Sequence, residues 1–125
     1  MISILSPAKT LDMTQTNNIK QYTKPLYIKE AAVLMAELKQ YSPPELETLM
    51  KINSSLAETN FSRNAVWKTD HTLSNSKQAV FAYAGHVYQG LSAATLDESS
   101  LLFAQDHLRI ISGLYGVLRP LDLIH

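Results

Sequence analysis

Leu101 to Asp122, LLFAQDHLRIISGLYGVLRPLD, is the stretch that most limits what this chain can fold into. Within it LRIIS, residues 108–112, is a short apolar run rich in branched side chains, the composition of a buried strand. A helical alternative stays open, because Leu108 and Ile111 also extend an amphipathic stripe from Phe103. After Ser112, glycine alternates with bulky apolar groups as far as Arg119-Pro120. A glycine beyond a strand lets backbone approach a ligand closely, since no Cβ stands in the way. A strand followed by a packed corner accounts for the same residues without any ligand.

Composition narrows the class. A length of 125 residues points to one domain, and a hydrophobic content of 46% is enough for a real core. Charged residues make up 18% with a formal net charge of +0, which excludes a disordered, highly charged tail. There is no cysteine, so disulfides, thiolate metal sites and thiol redox sensing are excluded in this segment. His71, His86, His107 and His125 are spaced too irregularly for a helical or hairpin metal pair, so no metal is expected. No nucleophile elbow and no nucleotide-binding glycine fingerprint occurs, and neither a cofactor nor a catalytic apparatus is expected from the residues. No apolar stretch approaches the ~20 residues of a membrane span. MISILSPAK lacks the basic leader of a signal peptide, so no membrane association and a cytoplasmic location are the expectation.

Taken in order, Ile2–Leu5 reads as a first buried strand, stopped by Pro7. Residues 13–24 read as a polar loop. Leu26 to Tyr41 carries the spacing of an amphipathic helix, after Pro25. Ser42-Pro43-Pro44-Glu45 is a capping box opening a second helix with Leu46, Leu49 and Met50 as its buried stripe, and Leu56 to Phe61 suggests a third. Residues 67–76 read as a loop. Gln78–Ala84 is the second strand candidate, ending at Gly85, with His86, Tyr88 and Gln89 at its exit. Thr95-Leu96-Asp97-Glu98 reads as another capping box, for a helix reaching about His107. The expectation is α+β: a small mixed sheet of about three strands with about four helices, Ile2–Leu5, Ala79–Tyr83 and Leu108–Ile111 being neighbouring strands of one sheet.

SGLYGVLRPLD at Ser112 to Asp122, taken with SPAKTLD at Ser6 to Asp12, resembles the YaaA family, the bacterial peroxide stress response proteins. PPELETLMKI at Pro43 to Ile52 and the Val87-Tyr88-x-Gly90-Leu91 pattern are shorter echoes in the right order. The resemblance covers the whole chain, and the family's proteins are longer, so the chain resembles an N-terminal part. What it implies is protection against hydrogen peroxide, with lowered free intracellular iron and DNA binding as linked activities, double-stranded DNA as the partner and a helix-hairpin-helix as its element.

The residues test that implication through charge. Residues 30–62 hold five glutamates against two lysines, a local net of −3, which is the wrong sign for a phosphate-contacting face. What remains for DNA is a basic edge of Lys51, Arg63, Lys68 and Lys77, with Lys20 and Lys24 beside it, and Lys51, Arg63 and Lys68 are the binding candidates. The alternative is an enzyme acting on a phosphorylated or nucleotide substrate in a cleft formed by SPAKT and GLYGVLRPLD. Its anion-binding candidates are Ser6, Lys9, Thr10, Arg109, Ser112, Tyr115, Arg119 and Asp122: cations and hydroxyl donors suited to a phosphate, on segments leaving strand ends. Ordinary turns satisfied by Ser6 and Thr10, and an Arg119–Asp122 ion pair locking a corner, are the plain counterparts. If the first and last strands are parallel neighbours, the two segments leave the same edge.

Overall fold

The computed structural model describes residues 2–8, 10–13 and 20–125; for Thr10 only the backbone is described. Strand β5, Leu108–Ser112, is the middle of a three-stranded sheet, flanked by β1, Ser3–Leu5, and by β6, Gly116–Leu118. β1 runs parallel to β5 with Ser3 opposite Leu108 and Leu5 opposite Ile110, whereas β6 returns antiparallel with Ser112 opposite Gly116. The helix before β5, α6 (Glu98–His107), ends where Leu108 takes extended angles, so the strand reading of 108–112 holds over the helical one. Alternation then sorts the side chains. Ile110, Ser112 and Leu118 are buried, while Ile111 and Val117 are left largely exposed on the other face. Residues 113–115 close the β5–β6 hairpin. Ser112 Oγ accepts the backbone N–H of Leu114 at 3.2 Å and of Tyr115 at 3.0 Å. Gly116 turns through φ +73°, a conformation that suits glycine, with the Tyr27 ring closing the space a Cβ would enter.

The helices follow their local signals. α1, Ile28–Leu38, starts later than the apolar spacing suggested and has no side-chain cap. α2, Pro43–Met50, carries the expected capping box: Ser42 Oγ accepts from Glu45 N, and the Glu45 carboxylate accepts from Ser42 N. Lys51 leaves α2 in the left-handed region, φ 55°, and Asn53 caps α3, Ser54–Val66, so that α2 and α3 form a hairpin of packed helices. Before α6 the cap is Asp97, whose carboxylate accepts from Ser100 N at 2.8 Å. Thr95 instead belongs to a 3₁₀ turn, Ala93–Thr95, and its hydroxyl donates to Ser92 O, so the Thr95–Glu98 capping box does not form.

The largest departure is at residues 79–83. Ala79–Ala82 is a four-residue helix, α4, between two two-residue strands, β3 (Lys77–Gln78) and β4 (Tyr83–Ala84). An unbroken apolar run does not distinguish a buried strand from a buried helix. All four residues of α4 are buried, and they divide by helical spacing. Ala79 and Ala82 join the main core with Met35, Trp67, Ile110, Tyr115 and Leu118, while Val80 and Phe81 join a second cluster with Ala93 and Leu101. The two short strands therefore pair outside the main sheet, β4 with β2 (Thr10–Leu11) and β3 with β7 (Leu123–Ile124), both antiparallel. The α+β class and the three-stranded mixed sheet stand, with two further short helices, α4 and α5 (His86–Leu91), where a strand and its exit were expected.

Candidate functional site

Because β1 and β5 are parallel neighbours, both chains leave the sheet at one edge. There the Ser6–Ala8 segment and the Ser112–Tyr115 turn come together, as the sequence led one to expect if the strands were parallel. Tyr88 on α5 ties the first segment down, its hydroxyl donating to Ser6 O at 2.6 Å. Between this edge and the three long N-terminal helices lies a cavity of about 620 Å³. Pro7, Ala8, Gly113 and Leu114 form its floor, and Leu38, Leu49, Met50, Asn60, Arg63 and Asn64 come from the helices. This corrects the reading of α2's apolar stripe: Leu46 is buried, but Leu49 and Met50 keep 54% and 38% of their surface and face the cavity.

One wall is a buried polar knot. The Tyr115 hydroxyl oxygen accepts from Trp67 Nε1 at 2.9 Å and from His125 N at 3.1 Å, which uses both its lone pairs. Its own hydrogen must then go to His71 Nε2, 2.9 Å away, so His71 carries its proton on Nδ1 and is neutral. Nδ1 makes no hydrogen bond of good geometry, although the Lys68 carbonyl acts on the ring. Burial, with the nearby His125 ring, pushes His71 down to about 4, and burial pushes Tyr115 up to about 12. Ser112 Oγ, which accepts the Leu114 and Tyr115 N–H groups, lies on the same wall as Tyr83, and burial raises the Tyr83 pKa.

The sequence candidates divide between this cavity and other places. Ser112 and Tyr115 line it, and Arg63, picked out for DNA, turns inward to donate to Leu11 O at 3.2 Å. Lys9 lies outside the described residues, Ser6 is exposed at the edge, and Thr10 begins β2. Arg109 pairs in register with Ile4 near the start of β5, where its guanidinium donates to Gln105 O and Leu108 O. Arg119 follows Leu118, which sits opposite Ile110, so it too lies toward the start of β5 and away from the strand exits. Arg119 and Asp122 form the ion pair of a locked corner, at 2.9 Å. Asp122 has 0% exposure and also accepts from Arg119 N and the Thr23 hydroxyl, while Arg119 donates to Lys24 O. Arg109 and Arg119 therefore lie away from the edge where the described Ser6–Ala8 segment leaves β1. Lys51 and Lys68 are exposed, whereas Arg63 turns inward and Lys77, also read as part of the basic edge, is buried with its ammonium donating to Asp12 O. Trp67 and His71 were read as loop residues. The signal was the lone tryptophan of the chain inside a polar stretch, since an indole seldom stays in solvent.

Among the described residues no group of three or more metal-ligating side chains is gathered, and no helix is long and apolar enough to cross a membrane.

A sequence profile described as peroxide stress protein YaaA matches residues 1–125. The chain belongs to the YaaA family of peroxide stress proteins. Among its relatives are UPF0246 proteins of Ralstonia nicotianae, 54% identical over 122 residues, and of Burkholderia lata, 48% identical over 124 residues. A third, from Polaromonas naphthalenivorans, is 51% identical over 122 residues. The matches cover 98%, 99% and 98% of this chain but only 48%, 48% and 47% of the relatives, so the chain spans about half the length of the curated relatives it matches. In this YaaA family chain, parts of the two segments that carried the resemblance line the cavity: Pro7, Ala8 and Leu11 of one, and residues 112–115 of the other.

Proposed function

We propose that this chain serves protection against hydrogen peroxide, limiting free intracellular iron and oxidative DNA damage, and that its own share is recognition of a small ligand in the strand-exit cavity. Family membership supports the first part. The observation that carries the second is placement: a cavity of about 620 Å³ sits beyond the carboxyl ends of parallel neighbours, where α/β proteins bind ligands. Its volume falls inside the range of about 300–1,000 Å³ typical of small-molecule sites. The apolar residues around it, Leu49 and Met50 among them, are spread over three helices without being covered.

DNA binding is the second reading, favoured by the packed α2–α3 hairpin with Lys51 at its turn. Peroxide survival separates the two. Gly113 lines the cavity with nothing within 4 Å of a Cβ, so a side chain can begin there, and Gly113→Trp is the variant chosen to fill the space. On the cavity reading, Gly113→Trp abolishes protection while the melting temperature holds, and the Lys51→Ala/Lys68→Ala double variant keeps it. The reverse pattern would assign the work to a DNA surface.

A further inference from the structure

Resting on the reading of the cavity as a ligand site, we infer that its ligand is a small organic carboxylate with an apolar, ring-sized body, held by the guanidinium of Arg63. Arg63 is half-buried at the cavity wall, and among the described residues its guanidinium makes one hydrogen bond, to Leu11 O. The ion pairs there, Lys24–Asp70 and Arg119–Asp122, both leave it out. A partly desolvated guanidinium without a counter-charge is costly, and the rest of its planar fork of N–H groups fits a carboxylate in two parallel hydrogen bonds. A second donor stands on the same cavity. The Tyr83 phenol lines it and carries a hydroxyl that can donate to a carboxylate.

The surrounding charge agrees. Lys39 acts on His125, a wall residue, and adds to the positive charge that Arg63 brings to the cavity. Glu37 also borders the cavity, but it is exposed, in contact with the Tyr41 hydroxyl at 3.4 Å, and outside ion-pair reach of Arg63. The remaining walls decide the body of the ligand. Leu34, Leu38, Leu49, Met50 and Leu114 offer no partner to a second charge, so a bare phosphate or a polyphosphate would leave them unused, whereas a ring or branched chain covers them.

Trp67 is the only tryptophan, and its indole is bonded to the Tyr115 wall, so its fluorescence reports on filling of the cavity. Phenylacetate and its neutral amide, phenylacetamide, are the probes. Saturable binding is expected, with the acid at least about tenfold tighter than the amide, the worth of one charge-assisted hydrogen-bond pair. Arg63→Gln should erase that preference, and Arg63→Lys, which keeps the charge and loses the fork, should retain part of it. Equal affinity for acid and amide, a preference that survives Arg63→Gln, or displacement by inorganic phosphate at equal concentration would each overturn the assignment. Loss of peroxide protection in Gly113→Trp with no preference for the acid defeats the ligand class alone. Full protection in Gly113→Trp defeats the cavity reading itself.

Discussion

Acidification probes the Tyr115 knot directly, because the hydrogen-bond arithmetic there leaves His71 no room for a second proton. His71 has 1% of its surface exposed, and its Nε2 is occupied by the Tyr115 hydrogen. Folded, it is pushed down to about 4 from the ordinary 6.5 that it regains on unfolding. A lowered folded pKa means that the unfolded chain takes up the proton first, so the contribution is complete above about pH 6.5 and is lost as pH falls toward about 4. At about 1.4 kcal/mol per pH unit, the gap amounts to about 3 kcal/mol. That is a large share of a stability of roughly 5–15 kcal/mol. His125, lowered by burial and by Lys68 and Lys39, adds in the same direction. The helix-capping carboxylates Glu45 and Asp97, also held low by their hydrogen bonds to Ser42 and Ser100, lose theirs at more acid pH, so the histidine window can be read apart. Urea unfolding midpoints measured across that window should fall steeply for the natural protein. In His71→Gln, which keeps an acceptor for Tyr115 but cannot titrate, the slope should be mostly gone although the variant starts less stable. Parallel pH profiles for the two proteins would refute the neutral, fully engaged His71.

Two further outcomes concern stability. Asp122→Ala removes the acceptor of Arg119 N, the Arg119 guanidinium and the Thr23 hydroxyl; with the Arg119 side chain 26% exposed and so partly rehydrated, a loss of about 3 kcal/mol is expected in the denaturation free energy, and a change within experimental error would show that the corner does not depend on the pair. Lys51→Gly relieves a left-handed residue, φ 55°, at the end of α2 and should raise stability by up to about 1 kcal/mol in the same assay; a loss would mean that the lysine side chain is doing more at the turn than its backbone costs.

The strand pair that positions the site was legible because ISIL and LRIIS are short, branched and bounded by turn residues, and no helix of ordinary length fits Ile2–Leu5 before Pro7. The burial expected of the first strand was not met, since it is an edge strand with Ile2 and Ile4 exposed. The capping box at Ser42 was legible because both of its bonds lie within four residues. The QAVFAYA run was not, because a segment buried on every side shows no period, and tertiary packing of Ala79 and Ala82 against one cluster and Val80 and Phe81 against another decided for helix. Charge misled at Arg119 for a different reason. Proximity in sequence to the glycine turn does not give proximity in space once β6 has carried the chain back along β5. Arg63 was recognised as a cation, but only the fold shows that it turns inward to Leu11.

The most direct measurement is a crystal structure of the protein soaked with para-bromophenylacetate, the bromine being located by its anomalous signal. Expected is a single strong peak inside the strand-exit cavity, with the ring between Leu38 and Leu114 and the carboxylate against Arg63. A cavity without bromine while the probe occupies another surface, or a probe seated with its carboxylate turned away from Arg63, would contradict the assignment of this edge as an anion-reading ligand site.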